Sequence, residues 1–185
     1  MKIFFNLDDT LRNTSERLAT FYVKEKPDSN ITPDDIDLSR LRDTLVFSDE
    51  EEYLDFFENY FLEIFGSAKD QYWNSNRDFN ELVKFLEENG HEVFIAQKET
   101  GKIKSASFFF ISDRQLDVNR VLFSDSLDGL LEECDLIVAA NPKIITHAMG
   151  NGIKTIRVKR HYNEDLLSDF SVNEIKDIFN LDIWS

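Results

Sequence analysis

The sequence predicts an α/β protein with a doubly wound, parallel five-stranded sheet and an inserted helical cap. Short apolar runs alternate with helical patterns, which is typical of strands that are buried on both faces. The first two predicted strands are separated by about 60 helical residues, far more than a simple crossover needs. Ligands of such sheets bind at the carboxyl ends of the strands, so we expect the insertion there. We therefore predict a core of residues 1–14 and 76–185 and a cap of residues 15–75.

The five predicted strands are short apolar runs bounded by polar or glycine-containing segments. They cover residues 2–7, 93–96, 118–123, 136–140 and 155–158. Helical spacing predicts helices at 102–112 and 127–134. Ser171 and Glu174 have the spacing of a capping box, which predicts a last helix running to Phe179. The core thus contains five strands, each followed by a helix.

Capping patterns and aromatic residues define the predicted cap. Thr32 and Pro33 predict one helix start, and Ser48 with Glu51 predicts another. The aromatic residues have two interpretations: they form the internal core of the cap, or some stack on a base or contact a partner. Three consecutive aromatic residues on a later helix cannot all face one core, so one is expected at the surface. The cap set is Phe47, Tyr53, Phe56, Phe57, Tyr60, Phe61, Phe65, Tyr72 and Trp73, and the later run is Phe108 to Phe110.

Composition narrows the classes of function. The net charge is −15, from 36 acidic and 21 basic residues, and no basic stripe is present. Direct nucleic-acid binding is therefore not expected. The acidity suits either solubility or a basic partner. The single cysteine, Cys134, excludes an intrachain disulfide. The chain opens on a strand-like run, and no apolar run approaches the roughly 18 residues of a membrane span, which predicts a cytoplasmic protein.

One motif carries a family resemblance. The segment Asn6-Leu7-Asp8-Asp9-Thr10-Leu11 follows an apolar run and resembles the D-x-D-x-T motif of the haloacid-dehalogenase (HAD) superfamily, with Asn6 at the first acid. Residues 79–97 and 135–158 resemble later strands and helices of its Rossmann-like core, and the insertion is similar to a C1 cap. His161-Tyr162-Asn163 resembles a P-Y-N segment of small 5′(3′)-deoxyribonucleotidases. The resemblance implies a site for phosphate-ester hydrolysis.

The resemblance also implies roles for single residues. The attacking carboxylate falls on Asn6, whose amide cannot form the acyl-phosphate that the chemistry requires. The acid/base position falls on Asp8, and Thr10 matches the motif threonine. The strand-two hydroxyl falls on Gln97, or on Ala96 if the register differs by one. Gln97 can still donate a hydrogen bond, which weakens phosphate contact without abolishing it.

The metal and lysine positions have changed as well. The two acids that bind magnesium in the family fall on Ala140 and Ile144, so we predict no metal site and no cofactor. The region expected to supply the lysine contains none, although Lys98 and Lys143 lie next to motif strands and are candidates to replace it. The candidate ligand-binding residues are Asp8, Asp9, Thr10, Gln97, Lys98, Asn141 and Lys143.

Three interpretations of function follow. In the first, the chain is a catalytically degenerate pseudo-phosphatase or pseudo-nucleotidase that binds a protein partner or a small phosphorylated ligand. In the second, it is an active 5′(3′)-deoxyribonucleotidase-like phosphohydrolase that uses Mg²⁺ and non-standard residues. In the third, it is an acidic scaffold or inhibitor that binds a basic partner surface. The sequence favours the first.

Overall fold

A computed structural model describes residues 1–67 and 76–184, and a parallel sheet of six strands lies at its centre. The strand order is β3-β2-β1-β4-β5-β6. The central strands are apolar at nearly every position because helices cover both faces. The strands are β1 Lys2–Phe5, β2 Glu92–Lys98, β3 Val121–Ser124, β4 Leu136–Ala139, β5 Lys154–Val158 and β6 Phe170–Val172.

The sixth strand corrects the sequence prediction of five. β6 pairs in parallel with β5, and Ser171 lies opposite Arg157. Ser171 therefore does not cap a helix. The last helical segment is a 3₁₀ helix, Ile175–Asn180, where the Asp177 carboxylate accepts the Glu174 N–H at 3.0 Å. A three-residue edge strand is too short to show an alternating pattern, which is why the capping spacing was misleading.

The remaining core helices lie on the two faces of the sheet. Because side chains alternate along a strand, Ile3 and Phe5 point to one face and Phe4 to the other. The first face packs against the helices Asn76–Glu88 and Gly101–Asp113, and the second against the helices Leu127–Leu131 and Pro142–Gly150. The predicted third strand and the helix after it are both shorter than expected. The helices are α4 Asn76–Glu88, α5 Gly101–Asp113, α6 Leu127–Leu131 and α7 Pro142–Gly150.

Residues 14–67 are mainly helical and pack around an aromatic cluster of their own. The predicted helix start at Thr32 and Pro33 gives only a 3₁₀ turn. Of the predicted aromatic set, Tyr72 and Trp73 lie outside the described residues. Six of the other seven belong to this cluster, and Tyr53 contacts it through the rings of Phe47 and Phe57. The internal-core interpretation therefore fits those seven. The elements are α1 Thr14–Glu25, the 3₁₀ turn Pro33–Asp35, α2 Leu41–Thr44, α3 Glu50–Phe61 and the π-helical turn Leu62–Gly66.

The side of α5 that faces away from the sheet meets this helical layer. Ala106 of α5 belongs to the aromatic cluster, while Phe110 packs against the sheet. Phe108 and Phe109 are 50% and 53% exposed. No helix within residues 1–67 and 76–184 combines the length and the apolar character needed to cross a membrane.

Candidate functional site

The tip of β1 is joined to β2 by two amide side chains. Asn6 is fully buried, and its Nδ2 donates to the Ala96 carbonyl at 3.1 Å and to Gln97 Oε1 at 2.6 Å. Gln97 Oε1 also accepts the Leu7 N–H at 3.0 Å. Asn6 Oδ1 has no hydrogen-bond partner among the described residues. These bonds use the Asn6 amide nitrogen to hold two adjacent strand ends together.

Asp8 lies just beyond the β1 tip and accepts hydrogen bonds on both carboxylate oxygens. Its Oδ1 lies 2.6 Å from Arg12 Nη2 and 2.6 Å from the Thr14 hydroxyl. Its Oδ2 accepts from Gln97 Nε2. The Asp8 carboxylate is therefore held by three side chains of the same chain.

Arg12 occupies the space between the sheet and the helical layer. It is fully buried, although arginine is rarely so. Besides Asp8, its Nη2 donates to Glu99 Oε1 at 2.8 Å. Its Nη1 donates to the Phe65 carbonyl at 2.6 Å and to the Ser107 hydroxyl at 2.7 Å. One guanidinium thus contacts the β1 loop, the segment after β2, α5 and the π-helical turn.

Burial and charge act against each other in this network. Burial favours the neutral form of Arg12, but Asp8 and Glu99 outweigh it and raise the pKa of the guanidinium. Burial raises the pKa of Glu99, and the nearby Arg12 charge counters part of that effect. The rings of Phe65 and Phe110 lie 5.1 Å and 5.7 Å from Arg12 Cζ, within cation–π range. Arg12 therefore remains a cation in an environment built for it.

Asp9, another candidate ligand residue, is buried and has a structural role. Its φ of 51° is left-handed, a conformation that aspartate adopts more readily than most residues. Its carboxylate accepts the Ser15 N–H at 2.9 Å, the Ser15 hydroxyl, and the Tyr162 hydroxyl at 2.8 Å. Burial raises the pKa of Asp9 against these hydrogen bonds. The side chain fixes the start of α1 to the segment after β5.

The end of β4 is tied down through the main chain of Ala140. Its N–H donates to the Thr10 hydroxyl at 3.0 Å, and its carbonyl accepts from Asn163 Nδ2 at 2.7 Å. The Thr10 hydroxyl also donates to the Asp8 carbonyl at 3.2 Å. Ile144 is 5% exposed and belongs to the apolar cluster on one face of the sheet. The two positions that resemble metal ligands are thus occupied by packed apolar side chains.

The structure therefore separates the sequence candidates into groups. Asn6, Asp8 and Gln97 share one network, and Thr10 bonds to Ala140. Asn141 caps α7 by accepting the Lys143 N–H at 2.9 Å. The side chains of Lys98 and Lys143 are exposed at the surface.

The residues present do not fit a magnesium ion. Mg²⁺ is usually held by one or two carboxylates together with substrate phosphates. In the described part of the chain, no group of three or more His, Cys, Asp or Glu side chains could hold a metal ion. Asp8 is bound by internal donors, and the Asp8 carbonyl accepts from Thr10.

Sequence analysis missed Arg12, Glu99 and Ser107 as members of this site. Glu99 follows Gln97 and Lys98 in the sequence, just beyond the end of β2. Its carboxylate is the second acid that pairs with Arg12. A carboxylate at a strand end and an arginine directly after the first motif were the available signals. Neither indicates a pair by itself, because the two residues are 87 positions apart.

The fold is shared with solved phosphatases and hydrolases, among them a hydrolase of the HAD superfamily. A predicted phosphoglycolate phosphatase from Haemophilus somnus 129PT has a TM-score of 0.65 and 17% identity, covering 97% of this chain and 96% of that one. A hydrolase from Pseudomonas syringae gives 0.60 and 14%, covering 97% and 96%. A HAD-superfamily hydrolase from Ehrlichia chaffeensis gives 0.54 and 20%, covering 97% and 94%.

No protein-family model matches the chain, and no curated protein matches its sequence. Because the structural identities are low, these likenesses define the fold alone. The chain has a HAD-like α/β fold, and that part of the sequence prediction is confirmed.

Proposed function

We propose that the chain is a non-catalytic HAD-like protein that acts by binding, most simply by binding another protein. The observation that supports this most strongly is the closed network in which Asn6 and Asp8 both bond to side chains of the same chain. HAD-type phosphoryl transfer needs a free carboxylate nucleophile and a second carboxylate that exchanges protons. Neither requirement is met by these two residues.

Asn6 lacks the chemistry of a nucleophile. Its nitrogen is delocalised and donates to Ala96 and Gln97, and its oxygen carries no charge. An amide in this position cannot form the acyl-phosphate intermediate. Loss of one such group typically costs several orders of magnitude in rate, and unaided phosphate-ester hydrolysis is extremely slow.

Asp8 is not free to act as a general acid or base. Arg12, Thr14 and Gln97 donate to its two oxygens. Those oxygens would have to reach a leaving group and then a water molecule. As long as the network is intact, both already have other partners, so Asp8 acts as the counter-ion of a buried arginine.

The segment that resembles the small nucleotidases supports the fold in this chain, and its contacts give no reason to expect the same substrate. In the segment His161-Tyr162-Asn163, the Tyr162 hydroxyl bonds Asp9, and Asn163 Nδ2 bonds the Ala140 and Val158 carbonyls. Both side chains support loops at the strand ends. We therefore assign the segment a structural role in this chain.

A protein partner is favoured over a phosphorylated ligand by the cleft next to the network. This cleft has a volume of about 360 Å³, and Asp9 and Arg160 are among its lining residues. The carboxylates of Glu16, Asp34 and Glu174 also line it, and because they outnumber the Arg160 guanidinium the cleft disfavours a phosphate.

The net charge of −15 supports a second candidate, an acidic scaffold that binds a basic surface. Binding of that kind weakens steeply as salt increases.

The test is a magnesium-dependent phosphatase assay of the wild type and of Asn6→Asp, with an aryl phosphate and a deoxyribonucleoside monophosphate as substrates. We expect neither protein to exceed the rate without enzyme, because Asn6→Asp leaves Asp8 engaged and supplies no metal ligand at Ala140. Wild-type turnover that Asp8→Asn abolishes would overturn the proposal. Turnover only in Asn6→Asp would contradict the argument that the Asp8 carboxylate is unavailable.

A further inference from the structure

All the hydrogen-bond donors of the Arg12 guanidinium are paired within the protein. The absence of catalysis would not by itself require such complete pairing. A guanidinium has five N–H donors in a rigid plane. The Nε–H lies 3.2 Å from Asp8 Oδ1, and the two N–H groups of Nη1 reach the Phe65 carbonyl and the Ser107 hydroxyl. The two of Nη2 reach Asp8 and Glu99. Every donor has an acceptor, and the fully buried side chain has no need of water.

We propose that Arg12 is an internal ligand of a preformed guanidinium-binding cavity, and that it fastens helical residues 14–67 to the sheet. The cavity walls come from distant parts of the chain: Asp8, Phe65, Glu99 and Ser107. Because Phe65 belongs to the helical layer and Glu99 follows β2, a single side chain joins the two layers.

The cavity is specific for a planar cation. Two carboxylates, Asp8 and Glu99, face one positive charge, and the Glu99 side chain is 5% exposed. The rings of Phe65 and Phe110 add cation–π attraction. Without a cation, the like charges are left without compensation in a low-dielectric site. An ammonium has only three donors at a single point, so it cannot replace all of these bonds.

The test uses the full chain with Arg12→Ala and free guanidinium ion. We expect the melting temperature to fall by about 10 °C relative to the wild type, because removing one partner of a buried pair is strongly destabilising. Millimolar guanidinium chloride should then restore several degrees, whereas sodium chloride or methylammonium chloride at the same ionic strength should restore less.

Arg17→Ala is the matched control. Arg17 also bonds the π-helical turn, with Nε and Nη2 at 3.1 Å and 2.9 Å from the Glu63 carbonyl, but it is only half-buried. We expect a small loss of melting temperature in this variant and no response to guanidinium in it or in the wild type. Equal responses of Arg12→Ala to guanidinium and to sodium would overturn the proposal, as would a wild-type melting temperature in Arg12→Ala.

A second variant keeps the proposal testable if Arg12→Ala does not fold. Arg12→Lys retains the charge but not the fork, so amide hydrogen exchange should accelerate in the turn Leu62–Gly66 and stay unchanged in α7. Unchanged protection of the turn would show that Arg12 does not fasten the layer. None of these measurements uses phosphatase activity, so failure of this inference is distinguishable from failure of the proposed function.

Discussion

The ends of the central strands differ in the kind of side chain that they carry. At the ends of β1 and β2, charged groups are present but paired, with Arg12 between Asp8 and Glu99. At the end of β4, Ala140 and Ile144 are buried apolar residues, and the Ala140 main chain is bonded to Thr10 and Asn163. Two kinds of environment thus lie side by side at the strand ends: one in which charges are paired and one in which the buried side chains are apolar.

The largest loss of stability is expected from placing a charge at the apolar end of β4. Ala140→Asp puts a carboxylate at a position with 0% exposure, and we expect the free energy of unfolding to fall by about 4 kcal/mol. Urea unfolding with and without millimolar magnesium chloride measures it. The neighbouring change Asn141→Asp is the control, since aspartate is an equally good helix cap, and it should stay within about 0.5 kcal/mol. Full recovery of Ala140→Asp in magnesium would mean that the β4 end still forms a metal site.

A somewhat smaller loss of stability is expected from breaking the charge pairing at the ends of β1 and β2. Asp8→Ala leaves Arg12 with Glu99 as its one carboxylate partner in the network, and we expect the free energy of unfolding to fall by about 3 kcal/mol. The control is Asp34→Ala. The Asp34 side chain is 86% exposed and pairs with His161, so its loss should cost at most about 0.5 kcal/mol. Similar urea midpoints for the two variants would mean that the buried pairing contributes no more than a surface contact.

The smallest effect is expected on the pH dependence of stability, through Asp9. Because burial raises the folded-state pKa of Asp9, protonated Asp9 stabilises the native state relative to the unfolded chain. Its contribution to stability is therefore fully present below the ordinary value of 3.8 and is lost as pH rises through the folded pKa. Asp9→Asn removes this titration and tolerates the left-handed backbone. We expect stability at pH 7 to change by less than about 1 kcal/mol and the decline above pH 3.8 to become shallower. Urea midpoints between pH 4 and 7 measure this slope, and identical slopes in both proteins would contradict the assignment.

Local patterns in the sequence were sufficient to predict most of the fold. β1 and β4 are apolar at successive positions because both faces are covered, and that pattern is visible without a structure. β6 was missed because three residues at an edge carry no period. The division into core and cap at residues 14–15 and 75–76 stays a prediction.

The candidate site was predicted less completely. The first motif indicated Asn6, Asp8 and Thr10, and Gln97 was expected at the end of the second strand. Arg12 could not be recognised as their common neighbour. A buried arginine is uncommon, and its partners Glu99 and Ser107 are 87 and 95 positions away. Pairing over such distances depends on how the layers are stacked, which local spacing does not encode.

The buried cysteine offers a way to observe opening of the opposite face of the sheet. Cys134 is 8% exposed and packs in the cluster that α6 and α7 cover, and burial raises the pKa of its thiol to about 12. At neutral pH the native thiol is both shielded and protonated, and the thiolate is the form that attacks an alkylating reagent. The rate of alkylation of Cys134 therefore reports how often α6 and α7 separate from that face of the sheet.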